Sequence, residues 1–281
     1  MLPAIGYAIR EQNRPILSDP DANAVEICLE RRPQSLHVEK HIRRSEFDVV
    51  SIHAHRLSVA GPEPTSREAL EALETIAEEN AATSISDHLG FLYGEESIPP
   101  AYTHSTLDAA CRNIDSIHRF FGRTRFYLEN IASRIRPEGT MSEADFLGQI
   151  LQKTGCGWLL DVTNVHANAR NFGFDPYDFI AEVMPCAMHV QMHLAGGYFD
   201  ERSQIFVDSH ALPVPDEIWS LFRHALVLGG HKTSAVFIEC DFNRRSEQSR
   251  RAEVRHARFL AERVYGRQRM LQRRTASVRF G

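Results

Sequence analysis

Short apolar runs recur along the chain, and the stretches between them carry apolar residues at helical spacing. IGYAIR near 4–9 and AVEICL over 24–29 open the series, followed by VVSIHAH, ATSISDH, FYLEN, GWLLDVTN, HVQMHLAG and VFIECD. These runs predict strands. After VVSIHAH, the stretch SREALEALETIAEENA predicts an amphipathic helix with Ser66 as its N-cap. A helix near 104–121 turns Leu107, Ala110, Ile114 and Ile117 to one face. In SEADFLGQILQKTG, Ser142 and Asp145 form a capping pattern and Gly155 supplies the stop. Further helices are expected near 176–184 and 215–228, and a last one over roughly 246–265. Strand and helix alternate about eight times without a break in composition, which predicts one closed (β/α)8 TIM barrel over 1–266. A doubly wound open sheet is the competing architecture, but it usually carries a Gly-rich phosphate loop after its first strand, and none is present. The segment 267–281, RQRMLQRRTASVRFG, has five arginines and little periodicity, and reads as a flexible, solvated tail.

The ends of these runs carry the chemistry. VVSIHAH brings His53, ATSISDH ends at His88, and FYLEN closes on Glu129. GWLLDVTN supplies Asp161 and Asn164, HVQMHLAG supplies His193, and VFIECD supplies Glu239 and Asp241. Asp208 and His210 sit in a loop after the seventh run. In a parallel barrel the C-terminal ends of all strands meet at one rim, so these ten groups are expected in one mouth. Residues two apart share a face, so Glu239 and Asp241 point alike, as do His53 and His55. Bunched carboxylates repel one another and resist burial unless cations join them. Imidazole and carboxylate donors without a thiolate suit iron, manganese or zinc, and ten donors exceed what one ion uses. Two or three ions bridged by carboxylates are therefore expected at the strand C-terminal face.

Composition narrows the partners. A net charge of −5 disfavours non-specific nucleic-acid binding, so no nucleic-acid partner is expected. No run approaches the roughly 20 apolar residues of a membrane span, and no charged segment precedes an apolar one at the N-terminus. A cytoplasmic location with no membrane partner follows as the expectation. The five cysteines are scattered without a C-x-x-C, and read as reduced thiols instead of a disulfide frame or zinc site.

Taken singly, each donor has a plainer explanation. A strand-end histidine can be a hydrogen-bonded structural residue, Asp208 or Asp241 can be a helix cap or loop brace, and Asn164 can hold the turn after Asp161. His55, His166 and His189 read as structural or supporting by default. Asn130 reads as pointing away from the metals, with a loop brace as its other role. The plain explanation fails for the group, because five strands end in ligand-type residues. No G-x-S-x-G, P-loop or H-E-x-x-H occurs.

The blocks S-I-H-A-H-R-L-S, S-D-H-L-G-F, L-E-N, L-L-D-V-T-N-V-H-A-N, H-L-A-G, D-S-H and I-E-C-D, in that order from about residue 49 to 241, resemble the DUF692 family of multinuclear non-heme iron-dependent oxidases. The resemblance implies a TIM barrel with two or three irons, mixed Fe(II) and Fe(III), and dioxygen as co-substrate. The implied substrate is a cysteine residue of a ribosomally made precursor peptide, presented with a small leader-binding partner protein. The product would be an oxazolone with thioamide, another heterocycle, or a peptide with the cysteine β-carbon excised. The implied ligand set is His53, His88, Glu129, Asp161, Asn164, His193, Asp208, His210, Glu239 and Asp241, with Glu129 bridging. The N-terminal third matches weakly, with Glu26 in the place of an early family glutamate. Two departures stand out: Gly197, where many relatives have a histidine after H-L-A-G, and His166, where the usual residue is tyrosine. The other readings are a zinc or manganese barrel similar to endonuclease IV or xylose isomerase, hydrolysing or isomerising its substrate, and a non-catalytic peptide- or metal-binding module.

Overall fold

The computed structural model describes residues 1–10, 19–29, 47–94, 96–240 and 245–278, with side chains described as far as Arg267. Two periodicities build it. On the strands, Val25, Ile27, Val50, Ile52, Phe126, Leu128, Trp158, Leu160, Met192 and Val236 alternate outward and join Leu107, Ile114, Leu147, Phe222 and Val254 of the helices in one core. The alternate residues face inward and are mostly small, polar or charged, with Leu159 and Phe237 as apolar exceptions.

The barrel strands are β1 (Ala4–Ile9), β2 (Ala24–Cys28), β3 (Val49–His53) and β4 (Ser84–His88), continued after a first inserted hairpin. That hairpin pairs β5 (Phe91–Tyr93) with β6 (Glu96–Ile98), and the barrel resumes with β7 (Arg125–Glu129), β8 (Gly157–Asp161) and β9 (Val190–Leu194). A second inserted hairpin, β10 (Gly197–Asp200) and β11 (Ile205–Asp208), precedes the last barrel strand β12 (Thr233–Ile238). The order β1-β12-β9-β8-β7-β4-β3-β2 closes the sheet, with neighbouring barrel strands parallel. The expected TIM barrel is the observed fold. β1 and β2 approach closely at Gly6, where a Cβ would lie 1.7 Å from the Ala24 carbonyl oxygen.

Helices α1 (Arg67–Glu79), α2 (His104–Phe121) and α3 (Glu143–Thr154) begin at the caps expected for the first and third, with Ser66 accepting from Ala69 N and Ser142 from Asp145 N. Gly155 ends α3 in the left-handed conformation at φ 69°. The polar pattern after Asp161 hides a further helix, α4 (Val162–Phe172), which starts with no loop because Asp161 itself caps it. α5 (Pro176–Val183), α6 (Asp216–Gly229) and α7 (Glu247–Val278) complete the outer layer. α7 runs helical to Val278 and so extends the last helix, expected over roughly 246–265, into the segment 267–281. Among the described residues no helix is long and apolar enough to cross a membrane.

Candidate metal centre

Register decides which strand ends become neighbours. His53 lies beside Ser86, His88 beside Glu129, and Asp161 beside His193 across successive strand pairs. Glu239 follows β12, and its amide donates to Leu194 O, which ties it to the end of β9. The hairpin β10–β11 carries Asp208 at its base, and His210 follows at φ 50°. Nine of the ten expected donors thus fall at or just past the C-terminal ends of the strands; Asp241 lies outside the described residues.

Glu129 stands in the middle. Its Oε2 is 3.2 Å from His53 Nε2 and 3.5 Å from His88 Nε2, while its Oε1 is 3.4 Å from His193 Nδ1. His193 Nδ1 also lies 3.3 Å from Glu239 Oε2 and 3.9 Å from Asp161 Oδ2. His210 Nε2 is 2.5 Å from Asp208 Oδ2 and 3.7 Å from Glu239 Oε2. Three sets of side chains bring ligand atoms within 4.8 Å of one another: His53 with His55 and His88; Glu129 with Asp161 and His193; Asp161 with His210 and Glu239. Asp161 belongs to two sets, and Glu129 faces imidazoles of two. Asn164 is placed beside them by its own helix, its amide donating 2.7 Å to Asp161 Oδ1.

A second layer of residues surrounds these side chains. Glu26, at the centre of β2, is fully buried and sits 2.5 Å from His193 Nε2, which leaves Nδ1 facing the other donors. Ser86 Oγ lies 2.9 Å from His53 Nδ1 and 3.4 Å from Glu26 Oε1, so His53 presents Nε2 to Glu129. Asp87 accepts the Leu57 amide at 2.8 Å and lies 3.5 Å from His88 Nδ1. Asn130 accepts from Trp158 Nε1 and Asp161 N, and donates 2.9 Å to Asp161 O, while Asn164 Nδ2 donates 3.1 Å to its carbonyl. Its loop-brace reading holds in detail: it is the clamp between β7 and β8. His55 is the second surprise, with its ring 4.7 Å from that of His53 and 4.8 Å from that of His88. Alternation along β2 already puts Glu26 inward between Ala24 and Cys28; what it meets there is a matter of register.

Electrostatically the cluster is over-supplied with carboxylates. Burial, then Asp208, Glu239 and Glu129, push the Asp161 carboxyl well above its ordinary range. Burial would raise Glu239 too, but His193, His210 and Arg10 outweigh it and hold that carboxyl well below. Glu239, Glu26 and Glu129 overcome burial at His193 and raise it well above an ordinary imidazole, whereas burial and the neighbouring rings of His55 and His88 drive His53 well below. Arg10, 3.6 Å from Glu239, adds one positive charge at the rim. Glu129 Oε2, Asp161 Oδ2, Asn164 Oδ1, His193 Nδ1 and Glu239 Oε2 are all buried and make no hydrogen bond to the described residues. Each such atom costs about 1–3 kcal/mol. Five of them around one space suit cations, and the donor chemistry fits iron, manganese or zinc. Cys28 also lies on the inner face, where burial pushes its thiol well above the usual range.

The two departures belong to the hairpin. A Cβ on Gly197 would come within 2.5 Å of the Phe206 ring and the Val207 carbonyl oxygen, so this hairpin leaves no room for a histidine there. His166 stacks edge-on against Phe206 at 4.9 Å, and Asn171 caps both backbone groups of that residue. Both positions therefore shape the base of β10–β11, the segment that delivers Asp208.

A family described as RiPP precursor modification enzyme MbnB/TglH/ChrH matches residues 6–262. A UPF0276 protein of Bordetella pertussis is 33% identical over 203 residues, covering 69% of each chain. One from Chromobacterium violaceum is 32% identical over 234 residues, covering 76% of this chain and 83% of that one. Among solved structures, a D-psicose 3-epimerase aligns with a TM-score of 0.60 at 8% identity, over 94% of this chain and 99% of its own. Endonuclease IV from Thermus thermophilus aligns at 0.56 and 13% identity, over 93% of this chain and 100% of its own. Likeness at that identity concerns the fold alone.

Proposed function

The chain belongs to the family of RiPP precursor modification enzymes MbnB/TglH/ChrH, and on that footing we propose that it is a multinuclear iron-dependent oxidase. Its substrate is a cysteine residue of a ribosomally made precursor peptide, its oxidant is dioxygen, and a small partner protein presents the leader. One observation carries the reading: buried, unsatisfied ligand atoms converge from β7, β8, β9 and β12 on the space around Glu129.

In this reading His53, His88 and Glu129 hold one ion, and Glu129, Asp161, His193 and Glu239 a second. Asp208, His210 and Asn164, sharing Asp161 and Glu239, complete a third position, with Asp241 as a further donor. Bound iron would supply an anchor for the substrate thiolate and the redox equivalents for dioxygen chemistry at the cysteine side chain. The chain's own work is positional. Glu26 and Ser86 fix which nitrogens of His193 and His53 face inward, and Asp87 steadies His88. Asn130 holds the Asp161 backbone and the Asn164 side chain, and the Asn164 amide donates to Asp161 Oδ1, so the carboxylate neither rotates away nor has to find its place when an ion arrives.

The test is anaerobic loading with ferrous iron, addition of the cysteine-containing precursor and its partner, and exposure to air. A mass change confined to a cysteine of the peptide is expected. An iron-loaded protein that leaves the peptide mass unchanged would sink the reading. Elemental analysis with electron paramagnetic resonance checks the metal; zinc alone would turn the argument toward hydrolysis.

A further inference from the structure

His55 lies outside the ligand set discussed so far, yet it meets that set directly. It follows β3 by two residues, is half-buried at the barrel mouth, and meets two other imidazoles. Its ring lies edge-on to His53 at 81° and tilted to His88 at 39°, and one nitrogen from each of the three rings lies within 4.8 Å of the others. Neutral imidazoles gain little from one another, and protonated ones repel. Ser86 and Asp87 attend the far nitrogens of His53 and His88, so both rings keep Nε2 on the shared side. Glu129 faces the Nε2 atoms of both from that side.

We infer that His55 is a third imidazole donor at the His53–His88 end of the cluster, making a metal position of three neutral nitrogens and one shared carboxylate. The inference rests on the proposed metal centre and adds an asymmetry to it. At the other end, Asp161, Glu239 and Asp208 accompany His193 and His210, so negative charge accumulates there. A carboxylate-rich environment favours the more highly charged ion, and a neutral imidazole environment favours the divalent one. The ferrous ion of a mixed-valence pair accordingly belongs at the three-histidine end.

Two measurements test this on the full chain. In the wild-type protein, carbethoxylation of histidines with diethyl pyrocarbonate, mapped by peptide mass, should mark His55 in the metal-free form and spare it once ferrous iron is bound anaerobically. Anaerobic titration with ferrous iron against a chromophoric chelator should show His55→Ala weakening one ion by at least ~10–100-fold, since loss of even a supporting group costs that much. His55→Glu should restore the stoichiometry while lowering the reduction potential of the pair, an effect that a purely structural histidine would not produce. If wild-type protein binds iron, His55 reacts equally with and without it, and His55→Ala binds as well as wild type, this inference fails while the metal centre stands. If wild-type protein binds no metal, both fail together.

Discussion

Two glutamates on consecutive elements of the barrel face opposite situations. Glu129 ends β7 among His53, His88 and His193, surrounded by groups that carry or can carry charge, and its Oε2 has no hydrogen bond. Glu143 opens α3 and receives the Asn168 side-chain amide at 3.3 and 3.4 Å. Tyr102 completes its setting, and burial, only partly offset by these hydrogen bonds, raises its carboxyl to about 7. A carboxyl with neutral hydrogen-bond partners and no cation takes up a proton and becomes a brace between α3 and α4. A carboxyl with imidazoles around it and one oxygen without a hydrogen bond keeps a place for a cation. Burial alone therefore does not mark a functional carboxylate; the kind of partner does.

The strongest way to break this contrast is Glu129→Gln. It should weaken metal uptake by more than ~100-fold and abolish conversion of the peptide, because the amide removes the charge shared between two positions. The metal-free protein should melt no lower than wild type, since an unsatisfied buried charge has gone; scanning calorimetry with and without iron checks both statements. Unchanged iron affinity would erase the distinction between the two glutamates. A smaller effect is expected from Glu26→Ala, which frees His193 to rotate without removing a donor. Iron affinity should fall roughly 10–100-fold, with stoichiometry recovered at high iron.

The smallest effect, and the one that sharpens the other half of the contrast, is Glu143→Gln. Iron uptake should stay at the wild-type value. The Glu143 carboxyl binds its proton more tightly folded, at about 7, than at its ordinary 4.5. Its contribution to stability is thus complete below about pH 4.5 and is lost as pH rises through 7. Wild type should lose ~2–4 °C of melting temperature relative to Glu143→Gln between pH 5 and pH 8. A pH dependence identical in the two proteins would show that Glu143 is not the neutral brace described.

The barrel was legible because its signal is local. Alternation along β2, β3, β7 and β9, caps at Ser66 and Ser142, and the stop at Gly155 each act within a few residues. The gathering of these side chains was legible for a related reason, since parallel strands carry their C-terminal residues to one rim whatever the strand order. α4 escaped notice because its capping residue is also the last residue of a strand, so the usual polar loop between them is missing. The partners of Glu26 and His55 were not legible, because neither is special in its own segment; one looks like a lone charge in a strand, the other like a spare histidine.

What the sequence determined by itself is therefore the eight barrel strands, most of the outer helices and the residue types at their ends, because periodicity and capping are short-range physics. Only the tertiary structure decided who meets whom. Closure of the sheet set Glu26 under His193 from the far side of the barrel, and register set His88 beside Glu129. The turn of chain past β3 brought His55 onto the other two rings. Those distances depend on strand order and stagger, which are fixed by burying every outward face at once and are written in no single stretch of the chain.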